Sequence, residues 1–141
     1  MHAVEHWYKA MKAKNSGDWD ELLEEDVVFH SPVVFTPQQG KKITAMYLLA
    51  AAQVFGEIGA LEEASQSEKP TSNFRYVNEI IAGNSACLEF ESEVNGVFIN
   101  GVDLLAWNDA GKLTEVKVMV RPLQAVNMLH QQMQAMLKTM S

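Results

Sequence analysis

Cysteine, basic residues and long apolar runs are all scarce in this chain, and each scarcity excludes a class of protein. The 141 residues include one cysteine, Cys87, so an internal disulfide and a cysteine-based zinc site are both excluded. Eleven basic residues against eighteen acidic ones give a net charge of −7, which argues against nucleic-acid and anionic-membrane partners. No apolar run approaches the length of a membrane span.

Targeting and metal-binding signals are missing as well. The segment MHAVEHWYKAMKAK has no basic head followed by an apolar block, so it does not read as a secretory signal and we expect a cytoplasmic protein. His2, His6 and His130 have no ligand-like partners in the sequence pattern, so no metal site is expected. No cofactor is expected either. The length predicts a single domain over residues 1–141, with a core large enough to be stable without disulfides or structural metals.

Apolar periodicity divides the chain into helices and strands. Helical spacing is found in residues 2–14, 16–23, 41–58 and 122–140, whereas residues 62–73 are polar and read as a loop. A strand pattern covers Asp26–Ser31 and ends at Pro32. After residue 73 the chain reads as a strand meander with turns at Gly83-Asn84, Asn95-Gly96 and Asn108–Gly111. Helices followed by an antiparallel sheet predict the α+β class.

The Asn95-Gly96 turn decides which way Asp103 faces. A two-residue turn sets Val94 opposite Val97, so alternate residues of the two strands share a face. Counting in twos from that pair sets Asp103 opposite Leu88, on the face that excludes three glutamates. We expect this face to be the inner one, and it carries Leu88, Phe90, Ser92, Ile99, Gly101, Asp103, Leu105 and Trp107.

The Asn108–Gly111 turn extends the inner face to the next strand. A four-residue loop pairs Trp107 with Lys112 and places Val116 beside Asp103. A three-residue loop would instead bury charged residues of the last strand, which is unfavourable for unpaired charges. The outer face then mixes apolar and charged side chains, which predicts a homodimer through this face. Its apolar members are Phe98, Val102, Leu104 and Met119.

An inward aspartate among apolar side chains is expected to be desolvated. Burial disfavours the charged carboxylate and raises its pKa, by up to roughly 3–5 units when burial is complete. We therefore predict that Asp103 is protonated near neutral pH and donates a hydrogen bond to a ligand oxygen. The alternative is a structural aspartate bonded to Trp7, Tyr47 or backbone groups.

The ligand-binding wall predicted around Asp103 is mostly apolar. It comprises Trp7, Met11, Phe29, Ser31, Tyr47, Leu88, Phe90, Leu105, Trp107, Val116 and Val118. His30 is a further possible site residue, although strand alternation turns it to the other face unless a bulge precedes Pro32.

The order and spacing of these motifs resemble the nuclear transport factor 2-like superfamily, and within it the SnoaL-like branch. The matching segments are Asp26-x-x-x-x-Ser31-Pro32, Gly40-Lys41 opening a helix, Gly101-Val-Asp103, Gly111-Lys112 and Arg121-Pro122. The resemblance implies a cystatin-like roll, in which a cone-shaped, curved antiparallel sheet is wrapped by N-terminal helices and followed by a C-terminal helix. It also implies a pocket at the open end of the cone and a homodimer formed through the outer sheet face.

Enzymes of this superfamily indicate which chemistry to expect. In ketosteroid isomerase the position similar to Asp103 carries a neutral acid that donates to the substrate oxygen. The proton-moving carboxylate of that enzyme corresponds here to Ser31, which disfavours steroid-type isomerisation. SnoaL-like polyketide cyclases use an acid at the Asp103-like position on substrates already acidic at carbon, for which one carboxyl suffices. The Asp-Arg-Asp set of limonene epoxide hydrolase is not matched, because Arg121 is expected to face outward.

Three functions follow from this reading. The first is an isomerase, cyclase or hydratase acting on a small apolar molecule with a carbonyl or hydroxyl group, with Asp103 as acid. The second is a protein that binds such a ligand without catalysis. The third is a dimeric interaction module whose cone is filled by Trp7, Tyr47 and Trp107.

Overall fold

The computed structural model describes residues 2–13, 16–51 and 74–140. Its helices are α1 (Ala3–Ala13), α2 (Ser16–Leu22), α3 (described over residues 41–51) and α4 (Leu123–Met140). Its strands are β1 (Leu23–His30), β2 (Gln38–Gln39), β3 (Arg75–Ala82), β4 (Ser85–Val94), β5 (Val97–Trp107) and β6 (Leu113–Arg121). The predicted continuation of α3 to Ile58 and the predicted loop over residues 62–73 lie outside the described residues.

The six strands form one curved, unclosed sheet in the order β2-β1-β6-β5-β4-β3. Neighbouring strands are antiparallel except β1 and β6, which run parallel with Phe29 opposite Val116. The α+β class with helices at both ends is confirmed, but the sheet is mixed rather than purely antiparallel. Hairpin turns specify only strands that follow each other, whereas β1 and β6 are separated by most of the chain. None of the described helices is long and apolar enough to cross a membrane.

The register of β4 and β5 is the predicted one. Val94 lies opposite Val97 and Leu88 lies opposite Asp103. Asn95 and Gly96 have φ angles of 52° and 81°, the left-handed conformation that a tight hairpin turn of this kind requires. The alternation along both strands therefore follows directly from this turn.

The register of β5 and β6 differs from the prediction by one residue at Trp107 and by two at Asp103. A bulge precedes Trp107, which pairs with Leu113, so Asp103 lies opposite Val118 and not beside Val116. The bulge turns Leu113 into the core, where it is 0% exposed, in place of a lysine. The inward orientation of Val116 and Val118 is unaffected, because a shift of two residues preserves the alternation.

Helices cover the inner face of the sheet in two groups. At one end α1 and α2 pack on the sheet, with Trp7 edge-on to Trp19 at 5.2 Å between ring centroids. The side chains buried there, which we call the first core, include Trp7, Trp19, Leu22, Leu88, Leu105, Trp107, Leu113 and Val116. A second core beneath α4 consists of Phe90, Val94, Ile99, Ala125 and Leu129.

Candidate functional site

A cavity of about 80 Å³ lies on the inner face of the sheet, with walls from both cores. Strands β4, β5 and β6 form one side, and α1, α3 and α4 close over them. Eight of the side chains predicted from sequence line it: Trp7, Met11, Phe29, Ser31, Tyr47, Phe90, Asp103 and Val118. Asp103 is the only carboxyl among the described lining residues, so one ionisable acid is set in a largely apolar wall.

A chain of two hydrogen bonds holds the Asp103 carboxyl. The Tyr76 hydroxyl donates to Asp103 Oδ2 at 2.9 Å, and Trp7 Nε1 donates to the Tyr76 oxygen at 3.0 Å. Asp103 is 5% exposed and Trp7 is 1% exposed, so both ends of the chain are shielded from water. Tyr76 comes from β3, where it lies opposite Phe90.

Burial dominates the electrostatics of this carboxyl. Desolvation raises the pKa of Asp103 from an ordinary value of 3.8 to about 7, and the hydrogen bond from Tyr76 opposes the rise. Burial and the nearby Asp103 charge raise the pKa of Tyr76 well above its ordinary range, so the phenol stays neutral. The predicted rise in the pKa of Asp103 is confirmed. At pH 7 the group is divided between a neutral donor and a charged acceptor.

The bonding partner of Asp103 was not the predicted one. The partners predicted from the sequence are Trp7, Tyr47 or backbone groups, whereas the direct partner is Tyr76, with Trp7 one hydrogen bond further away. A two-residue turn at Gly83-Asn84 would place Val77 opposite Phe90. A register shift between residues 76 and 78 brings Tyr76 there instead. Bulges of this kind depend on the packing of the finished sheet, so the sequence offered no local signal for Tyr76.

Four predicted wall residues do not reach the cavity. Leu88, Leu105, Trp107 and Val116 do face inward, but they belong to the first core and are at most 8% exposed. The indoles of Trp7 and Trp19 fill the space above this end of the sheet. Further wall residues that the sequence did not single out are Pro32, Val33, Leu48, Ala51, Phe74, Val120, Leu129 and Met133.

Three polar candidates near the site have distinct positions. Tyr47 lines the cavity and stacks on Phe29 at 5.3 Å between ring centroids. The Ser31 hydroxyl accepts a hydrogen bond from the Val33 amide at 3.1 Å, which shapes the loop after β1. His30 turns to the outer face, where its Nε2 lies 2.8 Å from Glu115 Oε2, so it does not meet Asp103.

A separate polar cluster lies between α1 and α2. His6 Nε2 is 4.0 Å from Glu21 Oε1, and together with Asp18 these side chains offer three possible metal-ligand atoms within 4.8 Å of one another. The expectation that His6 has no ligand-like neighbours is therefore wrong. None of the three residues lines the cavity, and the Glu21 side chain is 75% exposed.

Comparison with known proteins gives a consistent picture of the fold. One similar structure is a steroid delta-isomerase from Pseudomonas aeruginosa, with a TM-score of 0.81 and 24% identity over 97% of this chain and 90% of that one. A second is an uncharacterised bacterial protein with a cystatin-like fold from Silicibacter pomeroyi, with a TM-score of 0.78 and 27% identity over 96% and 85%. A third, from Agrobacterium tumefaciens, is a proposed isomerase of the SnoaL-like family, with a TM-score of 0.59 and 15% identity over 85% and 95%.

The chain has the fold of the nuclear transport factor 2-like superfamily, which confirms the resemblance found in its sequence. Structures with this fold include proteins described as isomerases, and the SnoaL-like family is among them. No family model matches the sequence, and a comparison with curated proteins found no match.

Proposed function

We propose that this protein binds a small, mostly apolar molecule bearing a carbonyl or hydroxyl oxygen and acts on it as an isomerase, cyclase or hydratase. The observation that carries the proposal is Asp103, a carboxyl with a pKa of about 7 in the wall of an apolar cavity. An acid with this pKa is partly protonated at neutral pH. Because the buried carboxyl is already desolvated, it can donate a hydrogen bond to a ligand oxygen without first giving up bound water. The isomerases among similar structures support this class of reaction.

Asp103 would act by stabilising charge on oxygen. When a proton leaves the carbon next to a carbonyl, negative charge moves to the carbonyl oxygen, and a neutral acid in a dry site stabilises that oxygen strongly. If the proton of Asp103 moves to the oxygen, the remaining carboxylate keeps the hydrogen bond from Tyr76. Asp103 therefore supplies the acid, and Tyr76 supplies the hydrogen bond that stabilises the carboxylate left behind.

The wall also limits the substrate. Among the described lining residues no second carboxyl or histidine stands near Asp103, and the Ser31 hydroxyl is too weak a base to remove a carbon-bound proton. The chemistry therefore favours substrates whose C–H bond is already acidic, such as 1,3-dicarbonyl compounds, with water as the proton acceptor. A volume of about 80 Å³ is far below the roughly 300–1,000 Å³ of drug-sized sites, so we expect a ligand smaller than a steroid.

The same wall favours one alternative, binding without catalysis. A cavity whose described wall has a single acid and no base can hold a carbonyl compound by one hydrogen bond and apolar contact alone. The filled interaction module receives less support, because Trp107 lies in the first core and does not plug the cavity.

A binding screen with matched variants tests the proposal. Small 1,3-diketones, cyclic enones and phenols would be titrated against the parent, Asp103→Ala, Asp103→Asn and the control Asp26→Asn, whose carboxyl is exposed on β1. We expect Asp103→Ala to weaken hits at least tenfold, because one desolvated hydrogen bond to a polar ligand atom is lost. Asp103→Asn should keep a donor but lose the pH dependence of binding, and Asp26→Asn should match the parent. Unchanged affinity in both Asp103 variants at every pH would overturn the proposal.

Catalysis is separated from binding by hydrogen exchange at carbon. For each hit, the rate at which its acidic C–H exchanges with deuterium from solvent would be followed by proton NMR, with and without protein. Acceleration by the parent that is lost in Asp103→Ala supports the enzyme. Saturable binding without acceleration supports the non-catalytic alternative.

The outer face of the sheet supports a proposal about assembly, that two copies pair through it. Phe98 is 71% exposed and Met119 is 47% exposed on this face, and such apolar exposure is unusual for a solvated sheet. Light scattering after gel filtration should give the mass of two chains for the parent and of one chain for the double variant Phe98→Glu/Met119→Glu. A parent that elutes as one chain at micromolar concentration would contradict it.

A further inference from the structure

The hydrogen-bond chain that ends on Asp103 runs from Trp7 through Tyr76 to the carboxyl. An indole N–H donates and cannot accept, so Trp7 must donate to the Tyr76 oxygen. The Tyr76 hydroxyl has one proton, and it is placed toward Asp103 Oδ2 at 2.9 Å. Oδ2 is therefore an acceptor in this arrangement.

We propose that Trp7 and Tyr76 are positioning residues that keep the proton of neutral Asp103 on Oδ1, the carboxyl oxygen left for a ligand. This inference rests on the proposed function and deepens it, because it names the atom through which the acid meets the ligand oxygen. A proton on Oδ2 would point at the Tyr76 hydroxyl proton and break the chain. Among the described residues, Tyr76 alone hydrogen-bonds to this carboxyl, which leaves Oδ1 available.

Packing prevents the side chains of this hydrogen-bond chain from reorienting. Trp7 is 1% exposed and is held edge-on against Trp19, so water cannot replace its N–H. The Tyr76 ring contacts three aromatic rings, with centroid distances of 5.1 Å to Tyr8, 5.3 Å to Phe74 and 6.2 Å to Phe90. A donor held in this way is oriented before any ligand arrives, which is the condition under which a hydrogen bond contributes most to a site.

The other titratable groups around the carboxyl do not compete with it. Tyr8 of α1 donates to Glu79 of β3 at 2.6 Å, and burial together with this hydrogen bond raises the Tyr8 pKa. Tyr47 of α3 lines the cavity, while β4, β6 and α4 contribute only apolar side chains to its described wall. The phenols of Tyr8 and Tyr76 stay neutral at the pH values where Asp103 titrates, so a titration seen at this carboxyl belongs to Asp103.

The direction of the chain predicts the sign of a pKa change. Because Tyr76 donates, it stabilises the charged carboxylate, and Tyr76→Phe should raise the Asp103 titration midpoint by about one pH unit, a tenfold change in proton affinity. Trp7→Phe removes the donor that polarises the Tyr76 hydroxyl, so it should also raise the Asp103 midpoint, by less than Tyr76→Phe does. If Asp103 instead donated to Tyr76, the neutral form would be the stabilised one, and Tyr76→Phe would lower the midpoint.

The experiment is a carbon-13 NMR titration of the carboxyl carbons in the ligand-free protein, from pH 4 to 9. Tyr8→Phe is the matched control, since it removes a phenol hydroxyl from the same aromatic group without touching Asp103, and its midpoint should equal that of the parent. Amide spectra identify any variant that loses its fold, and Tyr76→Phe is the conservative change on which the result depends. A lowered or unchanged midpoint in a folded Tyr76→Phe would overturn the inference.

The titration and the ligand screen can each give a negative result without the other. The midpoints need no ligand, so a raised midpoint in Tyr76→Phe supports the chain even if no small molecule binds. With a ligand in hand, the pH at which its affinity falls should rise in Tyr76→Phe as the NMR midpoint does. If the pH at which affinity falls is the same in Tyr76→Phe and the parent, the ligand does not use the Asp103 proton.

Discussion

The middle of β5 and its C-terminal end share one strand and one alternation, but of their inward side chains only Asp103 lines the cavity on the inner face. Leu105 and Trp107 face inward into the first core, where α1 and α2 leave no space. Two residues earlier along the same face, Asp103 lines the cavity, with Phe90 and Val118 on the adjacent strands. Alternation selects the inward side chains, whereas the helices above them decide whether an inward position belongs to solid core or to the cavity wall.

Replacing a leucine in each region should give the largest difference. Leu105 is enclosed in the first core, whereas Leu129 of α4 lines the cavity. Leu105→Ala should lower the free energy of unfolding by about 4 kcal/mol and Leu129→Ala by about 2 kcal/mol, because deletion in tight packing loses more contacts. Urea denaturation of both variants measures the gap. Equal losses would mean that the cavity end is as tightly packed as the core.

The buried acid should make the cavity end sensitive to pH. The folded-state pKa of Asp103, about 7, lies above its ordinary value of 3.8, so the folded state binds more protons between these values. Stability from Asp103 is therefore fully present below about pH 4 and is lost as the pH rises to 7, by about 1.4 kcal/mol per unit.

The measurement is the difference in unfolding free energy between the parent and Asp103→Asn. Between pH 5 and 8 this difference should move by about 3 kcal/mol in favour of the variant, since asparagine carries no charge to bury. The control Asp26→Asn should show a nearly flat difference. A flat difference for Asp103→Asn would place its pKa near the ordinary value.

The missing side chain of Gly101 lets the cavity-lining ring of Phe90 pack against β5, and a side chain added there should lower the stability of the fold. A Cβ at this position would lie 2.6 Å from the Met119 carbonyl oxygen and 2.6 Å from Phe90 Cζ. Gly101→Ala should lower the free energy of unfolding by about 2 kcal/mol, because the backbone contact cannot be relieved by a rotamer change. Thermal unfolding checks the loss. A neutral result would show that β5 and β6 can separate locally without penalty.

The smallest effect is expected at the loop after β1. Ser31→Ala removes the acceptor of the Val33 amide and should lower the free energy of unfolding by about 1 kcal/mol. The Asp103 titration midpoint should not change, because Ser31 makes no hydrogen bond to that carboxyl. A shifted midpoint would show that Ser31 acts on the acid and does more than shape the loop.

The direction of Asp103, and with it the rise in its pKa, follows from local sequence. The Asn95-Gly96 turn can pair its strands in only one register, and a period of two then carries that register to Leu88 and Asp103. The fold class followed from the order of helices and strands in the same way. Both are local properties, since each depends on residues that are close along the chain.

Which inward positions surround the cavity, and which side chain bonds to the acid, depends on packing between segments that are far apart in sequence. The parallel pairing of β1 with β6 and the bulges beside Tyr76 and Trp107 arise from contacts between distant segments. Such contacts form because whole faces must pack without gaps, and no short stretch of sequence encodes the space that remains. Tyr76 reaches Asp103 for this reason, although 27 residues separate them in sequence.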